Sequence, residues 1–448
     1  KKKPLYLSAN DLQYVTRTDE GLTFNDPGLK HQWHYQNKGN YAFVTERAEA
    51  IAGSDVNCVE AWKSCKGDPS IIVAVLDEGV MWSHPDLKAN MWTNESEEIG
   101  STEDKDGNGY KGDRYGYNFV KNTGVISWTS AEDTGHGTHV AGTIAAVNGN
   151  GTGVSGIAGG DGTENSGVKI MTCQLFDGQY GATLAAEAKA IKYAADNGAV
   201  ILQCSWGYNS PDANEALGYV PGPKNEQDWE NQYPLEKEAL DYFIHNAGSP
   251  NGVIDGGLAI FASGNEYAPS SSFPAGYSKC ISVSAIAADY TPSSYTNYGT
   301  EITLCAPGGD GDYYGTPGTA EDHFDWETET QGLILSTGIK NGQPAYTYME
   351  GTSMACPHVS GVAALGLSYA VKQRRHFKAA EFKELMIQTA NSEFYQEYDR
   401  KVEKLYYYNH ATIGASPTLM NLIDRKGKMG KLVDAGALLK AIGNHGSD

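Results

Sequence analysis

Three short stretches of this 448-residue chain hold residues that together could do covalent chemistry. In VAVLDEGV, Asp77 ends an apolar run; in DTGHGTHVAGT, His136 stands between two glycines; in GTSMACPHVSG, Ser353 follows a Gly-Thr turn. A serine hydroxyl is a poor nucleophile until a base takes its proton, and an imidazole does this best when a buried acid holds it in one tautomer. The chain offers one acid, one base and one nucleophile in the order Asp–His–Ser, a set suited to acyl transfer. His139 and His358 share these stretches but read as packed helix residues. A metal reading of His136 and His139 lacks a third ligand at matching spacing. Cys356, three residues past Ser353, is expected to pack.

Such residues need rigid supports. IIVAVLD (71–77), VKIMTCQLF (168–176), AVILQCSWG, GGLAIFASGN, KCISVSAI and ITLCAPG read as strands. GTHVAGTIAAV (137–147), ATLAAEAKAIKYAADNG (182–198) and SMACPHVSGVAALGLSYAVKQ (353–373) read as helices, with 381–390 and 432–442 as closing helices. Continuous apolar strands alternating with helices predict an α/β fold, doubly wound, with a mostly parallel central sheet and helices on both faces. The reacting groups are then expected at the carboxyl ends of central strands.

Further motifs accompany the three: NDPGLKHQWHY (25–35), HPDL (84–87), SWG (205–207), ASGN (262–265), CAPG (305–308) and KLVDAGALLKAI (431–442). With them, over roughly residues 25 to 445, the chain resembles the subtilisin-like serine proteases, the subtilases, which share the chain order Asp–His–Ser. The resemblance implies Asp77 as orienting acid, His136 as general base and then acid, and Ser353 as nucleophile. It implies Asn265 as side-chain oxyanion donor, beside the Ser353 amide at a helix N-terminus. Ser205, Trp206 and Gly207 would face Ala262, Ser263 and Gly264 across the P1 side chain and pair with the substrate backbone.

The implied activity is endopeptidase hydrolysis of proteins or peptides, with no cofactor for catalysis. A transpeptidase or macrocyclase could use the same triad; a catalytically silent peptide-binding protein is a third class, against which the intact triad speaks. The resemblance also implies a secreted or cell-envelope location and the protein's own prodomain as folding partner or inhibitor. Residues 1–24 are expected to be an N-terminal extension or prodomain remnant, and 25–448 a single peptidase domain, monomeric. The opening KKKPLYLS has no signal-peptide pattern; if the protein is exported, its targeting segment is expected to have been removed or to lie outside the given sequence.

Three positions depart from the family pattern. Glu78 follows Asp77 where Thr or Ser is usual; it would either raise a neighbouring pKa by like-charge repulsion or point to solvent. Trp206 stands where a smaller aliphatic is common. Glu266 follows Asn265 and would either favour a basic P1 residue or be a solvated rim charge.

The net charge of -21 argues against nucleic acid as a partner. No run of about 18 apolar residues exists, so no transmembrane segment is expected. The seven cysteines are odd in number, lie mostly in apolar runs and do not form a disulfide framework. Segments 95–113, 211–241 and 309–330 hold 22 acids against 4 bases and read as acidic loops or insertions. The first contains DKDGNGYKGDRY. Asp104, Asp106, Asn108 and the Tyr110 carbonyl fall where a calcium loop has its first four ligands, but Tyr115 replaces the bidentate Glu. The EF-hand reading therefore fails. Asp113 could substitute in a different structural calcium loop; an ordinary Asp/Asn/Gly turn uses the same residues.

Overall fold

The computed structural model describes residues 5–7, 22–39, 49–248, 252–314, 332–407 and 417–444. Its centre is a nine-stranded sheet. Across it run Lys431–Leu432, Leu304–Pro307, Ile281–Ile286, Leu258–Ala262, Ile201–Cys204, Ile72–Glu78, Lys169–Asp177 and Gly116–Asn118, all parallel; Tyr180–Gly181 adds an antiparallel edge. The strands are buried because helices cover both faces. Val73, Val75, Ile201, Ile260 and Val283 face the layer of His136–Ala145, Thr352–Lys372 and Ala435–Asn444. Ala74, Leu202, Ala259 and Phe261 face the layer of Leu184–Asp196 and Pro234–Asn246. The alternation of inward side chains along one strand thus fills two cores, as a doubly wound sheet requires.

The helix Thr352–Lys372 has the length and apolarity to cross a membrane by composition, but 89% of that window is buried within the protein. Its small residues allow close packing: a Cβ at Gly361 would already stand 3.0 Å from Ile157, in the segment between His136–Ala145 and Lys169–Asp177. All seven cysteines are buried and unpaired, so burial, not bridging, explains their placement in apolar runs.

Two hairpins were not legible in the sequence. Ile334–Lys340 and Gln343–Met349 pair antiparallel, and Leu5–Leu7 adds a third strand beside Tyr346–Tyr348. Glu403–Tyr407 pairs with Pro417–Asn421. The loop reading of 211–241 also needs correction, since Glu226–Gln232 and Pro234–Asn246 are helices. Asn225 caps the first by accepting from the Asp228 amide at 2.8 Å, and Pro234 opens the second. The acidic segment 309–330 lies outside the described residues from 315 onward.

This insertion buries Glu236. Its carboxylate accepts from the Trp229 indole at 2.7 Å and the Tyr208 hydroxyl at 3.1 Å. Glu187, on the neighbouring helix, meets Glu236 carboxyl to carboxyl. Burial first, and then this contact, push its pKa up to about 10. The folded state therefore holds a proton that the unfolded chain releases near pH 4.5. Stability from this group is full below that pH and falls as pH rises toward 10. Glu187→Gln should raise the melting temperature at pH 9 by more than at pH 5. Equal changes at both pH values, measured by calorimetry, would contradict the shared proton.

Candidate active site

Asp77, the last residue but one of the strand Ile72–Glu78, is buried. His136 opens the facing helix, and its Nδ1 lies 2.8 and 2.9 Å from the two Asp77 oxygens. The helix can come this close because residue 137 is glycine: a Cβ there would stand 2.2 Å from the Glu78 carbonyl. A carboxylate partner places the proton on Nδ1 and leaves Nε2 as the proton-accepting atom. Ser353 lies in the first turn of Thr352–Lys372, where backbone N–H groups are left unpaired and the helix dipole favours negative charge. Its hydroxyl donates to the Ser205 carbonyl at 3.1 Å, and the Ser205 hydroxyl donates back to the Ser353 carbonyl at 2.8 Å. Attack on a carbonyl carbon therefore needs the Ser353 hydroxyl to turn from Ser205 toward the imidazole.

Asn265 is oriented from one end. Its Oδ1 accepts from the Thr352 amide and from the Thr352 hydroxyl, both at 2.8 Å. With the oxygen occupied, Nδ2 is the end free to donate beside the Ser353 helix. Gly264, at φ +104°, makes the approach possible, since a Cβ would stand 2.4 Å from the Asn297 amide nitrogen. Ser205–Gly207 and Ala262–Gly264 lie at the ends of adjacent parallel strands. The Trp206 indole turns inward, donating to the Leu76 carbonyl at 2.7 Å and packing edge-on against Phe261.

The reading of Glu78 as a solvent-facing charge is corrected. Its carboxylate is half-buried and accepts from the Thr134 amide at 2.7 Å, the Thr134 hydroxyl at 2.7 Å and the His136 amide at 3.2 Å. The side chain is spent on the loop that delivers His136: Asp77 holds the ring and Glu78 holds the backbone. Glu78→Ala should lower kcat/KM by about ten- to a hundredfold through misplacement of the base, with Glu78→Gln losing less because one acceptor survives. Equal losses in the two variants would show that charge, not hydrogen bonding, matters.

Glu266 is likewise no rim charge. It is buried, with its carboxyl pushed up by that burial, and accepts from the Ser210 amide at 2.7 Å, the Asn297 amide at 3.2 Å and the Asn265 amide. Such a carboxylate braces Asn265 rather than meeting a basic side chain.

The acidic loop brings together Glu97, Asp106 and Asp113, whose carboxylate oxygens lie within 4.8 Å of one another. Glu97 was missed because it stands seven residues before the first loop ligand. Asp113 is fully buried; its Oδ2 accepts from Tyr193 at 2.7 Å and Asn108 at 2.8 Å, while its Oδ1 and the Oδ1 of Asp104 are buried without a hydrogen-bond partner. The rest of the expected ligand set is placed differently: Asp104 Oδ2 accepts from the Gly109 amide, Asn108 Oδ1 from the Tyr110 amide, and the Tyr110 ring packs on Tyr117 and Tyr193. Orphaned buried oxygens in an all-oxygen set fit a hard cation such as calcium.

The family model of the subtilases, Peptidase_S8, matches residues 68–406. The chain is a subtilase. It is 29% identical to halolysin of Haloferax mediterranei over 82% of the chain and 54% of that protein. It is 31% identical to the major intracellular serine protease of Bacillus subtilis over 77% of the chain and 83% of that protein. The chain thus spans about half the length of the first of these relatives. The serine protease of Aeromonas sobria superposes with a TM-score of 0.62 at 20% identity, covering 99% of this subtilase and 72% of that chain. That likeness bears on the fold alone, and it agrees with the parallel sheet and paired helix layers described above.

Proposed function

We propose that this subtilase is a serine endopeptidase that hydrolyses peptide bonds through an acyl-enzyme on Ser353. The observation that carries the reading is the double contact of the His136 ring with buried Asp77, on a helix and a strand that both pack against the helix bearing Ser353. Nε2 of His136 takes the Ser353 proton as the hydroxyl attacks the scissile carbonyl. The tetrahedral oxyanion lies between Asn265 Nδ2 and the Ser353 amide, where prearranged donors act on charge that exists only at that stage. His136 then gives its proton to the leaving amine, and the same base activates the water that releases the acyl group. No cofactor enters these steps.

Rapid mixing with a peptide p-nitrophenyl ester tests this: a burst equal to the enzyme concentration should precede steady turnover, with the acyl mass on Ser353. No burst and no acyl mass would count against the reading. Adding an amine should capture only a minor share of the acyl group; dominant capture would turn the assignment to a transpeptidase.

Calcium at Glu97, Asp104, Asp106 and Asp113 is part of the same reading, as a structural ion distant from the chemistry. Ligand binding to the native state alone stabilises by about 3 kcal/mol at a hundredfold excess over Kd. Chelation should therefore lower the melting temperature by several degrees, and calcium should restore it, with Asp113→Asn blunting both effects. An unchanged melting temperature would remove the ion.

Export is proposed because several relatives are named as extracellular proteases, although the Bacillus enzyme is named as intracellular. The protein's own prodomain is proposed as its folding partner or inhibitor, as the resemblance to the subtilases implies.

A further inference from the structure

The carboxyl ends of the central strands carry Asp77 and lead toward Ser353. Their amino ends, about 17 Å away along Ile72–Glu78, hold two cavities that adjoin at Ser70. The first, of about 590 Å³, has Lys88, Trp92, Glu95, Arg114 and Lys169 in its wall. The second, of about 630 Å³, has Ile71, Val200, Ile254, Val371, Arg374 and Arg375. The whole chain holds 55 acids against 34 Lys and Arg. Here the balance is reversed, with those five cations facing one acid, Glu95. Two further acids stand close by and are already engaged: Asp68 accepts from the Ser70 amide and hydroxyl, and Asp255 pairs with His376 at 3.0 Å.

Three of the cations lack a counter-charge. Lys169 opens the strand Lys169–Asp177, and its ammonium donates to the Ala89 carbonyl at 2.8 Å. Burial holds its pKa below the usual lysine range, and no acid offsets this. Among the described residues neither Lys88 nor Arg374 forms a side-chain hydrogen bond or ion pair. Arg374 also stands in the left-handed conformation, at φ +54°, just past the helix Thr352–Lys372. Glycine or asparagine takes that conformation at lower cost. The helix dipole favours a cation at this end, but Lys372 already supplies one. An arginine kept there against its backbone preference implies a use outside the fold.

The second cavity adds an apolar surface to the charge. Ile71, Val200 and Ile254 are buried side chains of the core that reach its wall, with half-buried Val371 beside them. An aliphatic wall gives nothing to a plain polyanion. A peptide that sets an aliphatic side chain between acids makes use of both.

We propose that the paired cavities are a docking site for an acidic peptide segment of a partner protein. One aliphatic side chain of that segment sits on Ile71, Val200 and Ile254, and carboxylates on either side of it meet Lys88, Lys169 and Arg374. The site lies at the other end of the sheet from Ser353, leaves the reacting groups open, and does not depend on the endopeptidase reading.

Fluorescence anisotropy tests it, with the full chain carrying Ser353→Ala so that nothing is cleaved and a labelled Glu-Glu-Leu-Glu-Glu peptide as probe. Saturable binding is expected at low salt, weakening as salt rises because the charge pairs are near the surface. Exchanging the Leu of the peptide for Ser should weaken binding about tenfold or more. Lys169→Gln and Arg374→Gly should each weaken it about two- to fivefold. Arg374→Gly should at the same time raise the melting temperature, an opposition that an arginine serving only the fold would not show. No saturation, or binding unmoved by both variants, would overturn the site. Equal affinity for the Leu and Ser peptides, with inorganic polyphosphate displacing both, would overturn it in favour of a surface for any polyanion.

Discussion

Ser353→Ala should lower kcat for a peptide substrate by about six orders of magnitude, the scale seen when a subtilisin triad loses its serine. The residue has no substitute. Two neighbouring hydroxyls are already engaged: Ser205 donates to the Ser353 carbonyl and accepts from Gln203 at 2.7 Å, and Thr352 donates to Asn265. His136→Ala should cost about as much, because a serine without its base is as ineffective as a base without its serine. The double variant should therefore be little worse than either alone. Asp77→Ala should cost less, about four orders, since its work is to fix the tautomer and balance the imidazolium. Steady-state kinetics on titrated enzyme measure all four; losses that multiply would show that Ser353 and His136 do not act as one unit.

The second large effect is expected at Asn265. Removing one oxyanion donor costs about two to three orders in kcat, a magnitude known from subtilisin itself, with KM little changed. The contacts here make the variant choice informative. Asn265→Ala loses both the donor and the acceptor that holds Thr352, so its effect mixes catalysis with the placement of the Ser353 turn. Asn265→Asp keeps the acceptor and replaces the donor by a negative charge aimed at the developing oxyanion. It should be the worse of the two in kcat, although it preserves the Thr352 contacts. If it were the milder, Asn265 would be a brace for the turn and the oxyanion would be stabilised elsewhere.

What could be read from the chain alone followed local chemistry. Asp77, His136, Ser353 and Asn265 stand in short motifs whose glycines and apolar flanks announce a strand end or a helix start, and the parallel sheet follows from continuous apolar strands between helices. What could not be read depends on tertiary approach. Glu78 seemed free to face solvent, because nothing in DEG shows that Thr134 and His136 return to it across 56 and 58 residues. Asn297, which accepts from the Glu266 and Ala268 amides at 3.0 Å and so shapes the oxyanion loop, lies in no motif at all. The helices of 211–241 were hidden by their charge. Their apolar faces are narrow, and buried Trp229 and Phe243 draw on a core formed by distant strands.

In the mechanism proposed above, the Ser353 hydroxyl is made nucleophilic by His136. Labelling with a fluorophosphonate, followed by peptide mass mapping, tests it most directly, because the reagent reacts far faster with an activated serine than with an ordinary hydroxyl. A single adduct on the peptide holding Ser353 is expected, lost in Ser353→Ala and slowed by orders of magnitude in His136→Ala. An adduct on another residue, no adduct, or labelling at the same rate without His136 would contradict the claim.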